Sequence, residues 1–382
     1  MSFIPPARLL LGPGPANVSP EVLAAQAQPA IGHLDPAFSE MMEEVKSRLR
    51  ALLRTENEVC FPLSAPASLA MEAALANLLE PGDHAVIAQN GVFGGRMAEI
   101  ARRCGAKTTV IEAEWGAQID ENVVREALKS VEKPKVLAFV HAETSTGVRS
   151  DAAALCAAAR ESGALSIVDC VTSLAGSPVE TDAWGADAVY SGSQKCLGCP
   201  PGLAPITFSK RAVAAIEART TPVQSWFCDL NLVLGYWRGT GAGPRSYHHT
   251  APVNALYGLH EALGRLLSEG LPAVQARHAA AHARLAAGME RLGLSFLVED
   301  PAARLPMLNT VRIPQGVDDA ALRRDLLERR GIEIGAGLGP LAGKVWRIGL
   351  MGENARPEAV DALLDALAEA LADHAAPRVA AQ

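Results

Sequence analysis

Short apolar runs, each closed by a polar or glycine-rich turn, recur along the chain as far as residue 209. Those at 59–61, 84–88, 107–111, 135–140, 166–169, 188–191 and 204–209 have the length and composition of buried strands. Stretches at 67–79, 121–130 and 152–162 carry the periodicity of helices. Strands alternating with helices predict an α/β fold, with a mostly parallel sheet covered on both faces. In such sheets ligands bind beyond the carboxyl ends of the strands. The turns 64–68, 90–95, 141–147, 169–173 and 191–195 all follow strands, so they are expected to converge on one site.

Two of these turns carry a chemical signature. Ser191-Gly-Ser-Gln-Lys195 sets a lone lysine among small residues at a strand end, and Pro200-Pro-Gly202 then turns the chain sharply. A Schiff-base lysine needs such a setting, because its amine must meet an aldehyde without bulky neighbours. An earlier strand, Ile167-Val-Asp169, 26 positions before the lysine, ends in an acid. A pyridoxal phosphate site uses an aspartate at the pyridine nitrogen and a lysine at the aldehyde. Phe93 lies between glycines in Asn90-Gly-Val-Phe93-Gly-Gly95, where a flat ligand can stack on it. At 64–68 a strand gives way to a helix, whose free N–H groups form an anion site.

The chain has 382 residues and a net charge of −7, with no basic block, which argues against nucleic acid or an anionic membrane as partner. No apolar stretch reaches membrane-spanning length, and the start of the chain predicts no signal peptide. Seven scattered cysteines, an odd number, predict reduced thiols and a cytoplasmic protein. Cys196 and Cys199 form a C-x-x-C, but no second pair follows, and the motif runs into prolines instead of opening a helix. His248 and His249 are adjacent and lack a third ligand. No metal site is therefore expected.

The stretch from Ser225 to Tyr247 reads as an aromatic loop. Long helices follow at 253–269 and 271–292, and from Met307 strands and helices form a smaller α+β unit. The expected organisation is an N-terminal arm over 1–20, a large domain over 21–268 and a small C-terminal domain over 269–382.

Taken with these features, several motifs resemble those of the class V aminotransferases of fold type I, and more narrowly the alanine–glyoxylate and serine–glyoxylate aminotransferases. They are Leu11-Gly-Pro-Gly-Pro15, Leu79-Glu-Pro-Gly-Asp83, Asn90-Gly-Val-Phe-Gly94, Glu143-Thr-Ser-Thr-Gly147, Val168-Asp169, Ser191-Gly-Ser-Gln-Lys195, Pro200-Pro-Gly202, Tyr247-His-His-Thr250 and Arg347-Ile-Gly-Leu-Met-Gly352. The resemblance covers nearly the whole chain. It implies pyridoxal phosphate as cofactor, with Lys195 bonded to the aldehyde and Asp169 keeping the ring nitrogen protonated. It further implies that Phe93 stacks on the ring and that Ala67, Ser68, Ser145, Val171 and Gln194 surround the cofactor. Tyr247 and Thr250 are expected to reach the phosphate of a partner subunit in a homodimer. Arg347 is expected to hold the substrate carboxylate as a bidentate fork. One departure stands out: relatives usually carry Gly or Thr where this chain has Ala65-Pro66-Ala67, and Pro66 has no N–H to offer.

The reaction implied is ping-pong transfer of an amino group from a small L-amino acid, alanine or serine, to glyoxylate or pyruvate. Alternatives within the family are aspartate–glyoxylate, pyridoxamine–pyruvate and aminophosphonate–pyruvate transamination. Arg347 matches a carboxylate-binding motif, and Arg245 is the one other candidate considered for a distal carboxylate. A desulfurase would need a cysteine well after the lysine, and the last one is Cys228. A nicotinamide dehydrogenase is disfavoured, because no G-x-G-x-x-G follows the first strand.

Overall fold

Seven strands build one central sheet: β1 (Val59–Leu63), β2 (His84–Gln89), β3 (Lys107–Glu112), β4 (Pro134–Val140), β5 (Leu165–Asp169), β6 (Ala188–Tyr190) and β7 (Ala204–Phe208). Their order across the sheet is β1-β7-β6-β5-β4-β2-β3. Only β7 is reversed, pairing antiparallel with both β1 and β6. The inner strands are apolar and buried on both faces, as parallel strands flanked by helices must be. These features come from a computed structural model, which describes residues 2–238 and 245–375.

The helices Ala67–Leu78, Val92–Arg103, Glu121–Ser130 and Ala152–Glu161 alternate with the strands. Leu308–Arg312, Val345–Gly349 and Gly335–Ala336 form a second, antiparallel sheet. The helices Leu271–Arg291, Asp319–Arg330 and Pro357–Ala375 belong to the same part of the chain, and its core is a separate apolar cluster containing Trp346, Ile348 and Leu363. The N-terminal Leu9–Leu10 pairs parallel with Ile332–Glu333, so the arm is stitched to this smaller unit. Leu11 continues the attachment: its N–H donates to the Glu333 carbonyl and its carbonyl accepts from the Gly349 N–H, both at 2.8 Å. Beyond the Gly12–Pro15 turn, the Ala16 N–H donates to the Gln194 carbonyl at 3.1 Å. The segment thus bridges the small sheet and the lysine turn.

Two elements differ from the sequence reading. Residues 90–95 are not simply a turn, because a helix starts at Val92 and Phe93 lies in its first turn. The adjacent Gly94 and Gly95 weaken the helical signal, and Gly91 at the cap position offers no side chain. Within the stretch read as an aromatic loop, Leu230–Trp237 is a helix, capped by Asp229, whose side chain accepts from the Asn231 N–H. Its buried Leu230, Val233, Leu234 and Trp237 keep helical spacing, but the exposed Leu232 is apolar too and masks the stripe in the sequence. Positions 239–244 of that stretch lie outside the described residues.

Candidate active site

The turns after β1, β2, β4, β5 and β6 meet at one cavity of about 160 Å³, whose lining includes Ala67, Phe93, Thr144, Asp169, Gln194 and Lys195. Sheet geometry alone accounts for the convergence, since parallel strands deliver their following turns to the same edge.

Asp169 is the last residue of β5 and is buried. The register of β5 on β6 sets it beside Tyr190, whose hydroxyl donates to Oδ2 at 2.8 Å. The Val171 N–H donates to Oδ1 at 2.9 Å. Burial pushes the Asp169 carboxyl up to about 6, with the nearby Glu143 adding to the effect and the Val171 and Tyr190 bonds opposing it. Among the described residues no cation forms an ion pair with it. It is therefore a buried acid that a cationic ring nitrogen fits.

Lys195 follows β6. Ser191 Oγ donates to the Cys170 carbonyl at 3.1 Å, and Ser193 Oγ donates to the Pro200 carbonyl at 2.6 Å, which fixes the turn from both sides. Cys196 and Cys199 are buried free thiols, and no metal-binding cluster occurs among the described residues. The Lys195 amine donates to the Pro13 carbonyl. Burial pulls its pKa down to about 8, and Arg347 adds to this, while Cys196 and Asp169 act against it. Gly14 lies against the same amine. Its φ is +106°, and a Cβ there would fall 2.6 Å from Lys195 Nζ. The positive φ requires glycine, and a side chain there would also displace the Lys195 amine.

Pro66 is the cap residue of the helix that Ala67 opens. Its missing N–H therefore costs this helix nothing. The first N–H groups of a helix have no intrahelical acceptor and suit a phosphate. Gln194 Oε1 is buried without a hydrogen-bond partner. A free helix start, an orphaned amide oxygen, a flat aromatic, a buried acid and an amine around one cavity match the groups of pyridoxal phosphate. Val171 also lines the cavity.

Ser145 does not line it. The Ser145 hydroxyl donates to Glu143 Oε1 at 2.6 Å and accepts from the Val92 N–H at 2.9 Å. The hydroxyl-bearing residue of this turn at the cavity is Thr144. Arg347 is 8% exposed and sits in the middle of Val345–Gly349. Its Nε donates to the Ala336 carbonyl at 2.7 Å and its Nη1 to the Thr144 carbonyl at 3.4 Å. It does not itself line the cavity, though it bonds to Thr144, which does, and it has no carboxylate in an ion pair among the described residues. Burial lowers its pKa, opposed by Glu143.

Tyr247 is 65% exposed, with its hydroxyl 3.3 Å from Thr250 Oγ1, and neither residue lines this chain's cavity. His248 stacks on Trp226 with ring centroids 4.5 Å apart, and His249 Nε2 lies 2.8 Å from Ser64 Oγ. Both imidazoles are occupied in local packing.

Sequence reasoning passed over Tyr190, Glu143 and Arg96. Arg96 lines the cavity, donates from Nη1 to Ser68 Oγ at 3.0 Å, and sets its guanidinium 4.9 Å from the Phe93 ring centroid. Once a helix is recognised, the three-residue spacing from Phe93 places the two on one face.

A family profile described as aminotransferase class-V matches residues 16–362. An alanine–glyoxylate aminotransferase of Drosophila melanogaster is 40% identical over 360 residues, which are 94% of this chain and 91% of that protein. The crystal structure of an alanine–glyoxylate aminotransferase from Nostoc sp. superimposes with a TM-score of 0.94 at 47% identity, covering 97% of each chain. That of a ureidoglycine–glyoxylate aminotransferase from Bacillus subtilis superimposes with a TM-score of 0.95 at 39% identity, covering 100% of this chain and 97% of the other.

Proposed function

The chain belongs to the class V aminotransferases, and on that premise we propose that it moves the amino group of a small L-amino acid, alanine or serine, to glyoxylate. Enzymes of this family use pyridoxal phosphate and act on small amino and 2-oxo acids. The observation that carries the reading is the pairing of a buried Asp169 with a Lys195 amine whose pKa is about 8, across one cavity.

When bound, pyridoxal phosphate supplies an electron sink for the charge that develops at the substrate's α-carbon. Asp169 stabilises the protonated ring nitrogen on which that sink depends. Lys195, once its amine is free, would take the α-proton and return a proton two bonds along, to the carbon on the far side of the transferred nitrogen. An amine of pKa about 8 is neutral often enough near neutrality to act as base and is still a competent acid. Phe93 packs on the ring, and Ala67, Ser68, Thr144, Val171 and Gln194 surround the rest of the cofactor. Arg347 orients the substrate carboxylate with its unpaired guanidinium edge.

A small donor follows if Arg347 alone holds a substrate carboxylate, because Arg96, the arginine that lines the cavity, lies against Ser68 and Phe93, the residues read as holding the cofactor. Arg245, the other candidate, is paired with Glu43 at 2.8 Å, and its side chain is 6% exposed. That disfavours an aspartate donor. The likeness to a ureidoglycine–glyoxylate aminotransferase keeps glyoxylate as the common acceptor and makes ureidoglycine the competing donor. We place the enzyme in the reducing cytoplasm, where its seven buried thiols stay unpaired. We also place it in a homodimer, with the exposed Tyr247 and Thr250 serving the partner's phosphate.

The test is to add L-alanine, L-serine, L-aspartate and (S)-ureidoglycine separately to the cofactor-loaded protein. Loss of its visible absorbance band with alanine or serine, restored by glyoxylate, is the expected result. A response to aspartate or ureidoglycine alone overturns the donor assignment.

A further inference from the structure

Glu143 is a fully buried carboxylate at the sheet edge that bears the cavity, yet it does not line that cavity. Its two oxygens are occupied. Oε1 accepts from the Ser145 N–H at 3.0 Å and from the Ser145 hydroxyl at 2.6 Å. Oε2 accepts from the Phe93 N–H at 3.1 Å, across 50 positions of sequence. The Ser145 hydroxyl in turn accepts from the Val92 N–H at 2.9 Å.

The first N–H groups of Val92–Arg103 therefore find acceptors on Glu143 and Ser145, residues of a different turn. The helix has no cap of its own, because Gly91 carries no side chain. A Cβ at position 91 would collide with the side chains of Glu143 and Ser145, so the glycine is what lets the two turns meet. A carboxylate at a helix start gains from both charge-assisted hydrogen bonds and the helix dipole. Burial pushes the Glu143 carboxyl above its ordinary range, while the Ser145 and Phe93 donors hold it back. A costly buried acid is being spent on the backbone of one aromatic residue.

We propose that Glu143 is a positioning residue for the cofactor: by tying the Phe93 amide to the turn after β4, it fixes the aromatic ring against the cofactor's face. The inference rests on the reading of Phe93 as the ring's stacking partner. Glu143 touches neither substrate nor cofactor and acts through Phe93.

The experiment is a double-mutant cycle read as pyridoxal phosphate affinity, measured by titrating the cofactor-free protein and following absorbance. Glu143→Gln keeps a single acceptor oxygen for the Phe93 and Ser145 N–H groups and removes the charge that strengthens both bonds, and is expected to weaken binding about tenfold. Phe93→Leu is expected to weaken it by a similar factor. On the Phe93→Leu background, Glu143→Gln should change affinity less than about twofold, since the ring it positions is gone. Equal weakening by Glu143→Gln on both backgrounds overturns the proposal. If Phe93→Leu alone leaves affinity unchanged, the stacking role of Phe93 fails and the proposal falls with it, while the assignments of Lys195 and Asp169 stand. A purely structural Glu143 would lower Tm and leave the affinity of the folded protein unaltered, which also overturns it. Should Glu143→Gln not fold, Ser145→Ala loosens the same cap from its other side, and the same non-additive pattern with Phe93→Leu is required.

Discussion

Tyr190 and Asp169 face each other across neighbouring strands, and the phenolic O–H donates to the carboxylate at 2.8 Å. Their strand register thus prepares the acid proposed to meet the ring nitrogen. Tyr190→Phe removes this donor and leaves Oδ2 buried without it. Cofactor affinity should fall about fivefold to tenfold with little change in fold, as read by absorbance titration alongside circular dichroism. Unchanged affinity would remove Tyr190 from the site.

The pH dependence of stability follows from Asp169 in the cofactor-free protein. Its folded pKa, about 6, lies above its ordinary 3.8, so the folded state holds the proton more tightly. The stabilisation is fully present below about pH 4 and is lost as pH rises through 6. Asp169→Asn removes this titration. Relative to the variant, the wild-type protein should lose up to ~3 kcal/mol between pH 4 and 7, measured by urea unfolding at each pH. A flat difference would contradict the buried, unpaired state of this acid.

Rates should follow the Lys195 amine. In the cofactor-free protein, the rate at which Lys195 captures added pyridoxal phosphate should climb with pH and level off near 8, as its amine becomes neutral. Stopped-flow absorbance distinguishes this from a pH-independent step. In the half-reaction with the amino donor, Lys195→Ala should cost at least about a hundredfold to ten-thousandfold.

These expectations divide by how far the sequence carries. Lys195 and Asp169 were readable because each sits at the end of its own apolar strand, and the signal is local. Ala67 with Ser68 at a helix start follows equally from neighbouring residues, whereas Pro66 as the cap does not, because it offers no side-chain acceptor to announce the position. The helix carrying Phe93 was not readable, because its cap comes from Glu143 and Ser145, far along the chain. Thr144 and Ser145 are adjacent hydroxyls, and only the fold decides which one lines the cavity. The pairing of Arg245 with Glu43 is likewise a contact that spacing does not announce.

Arg347→Lys keeps the charge and loses the planar fork. KM for the amino donor should rise about tenfold to a hundredfold, with a smaller effect on kcat. Steady-state kinetics with alanine and glyoxylate decide this. A change in kcat alone would move Arg347 from substrate binding to the chemical step.

The proposed homodimer makes a sharper demand. Chains carrying Lys195→Ala and chains carrying Tyr247→Phe with Thr250→Ala should each be weakly active alone. Unfolded together and refolded, they should recover activity, because each mixed dimer contains one site with its own Lys195 and an intact Tyr247 and Thr250 from its neighbour. No recovery would place those two residues outside the partner's site.

The segment from Leu9 to Ala16 gives the enzyme an order of assembly. The Leu10 carbonyl accepts from Asn354 Nδ2, 344 positions away, and Pro13 rests on the Lys195 amine. Leu10 cannot meet that partner until the 344 positions between them have been made. Contacts so distant in sequence form late and slowly. The central sheet can thus fold during synthesis while the lysine stays open on one side. The roof over its amine is held from two sides, by the Ala16 bond to Gln194 near the lysine and by the Asn354 bond to Leu10 from the smaller unit.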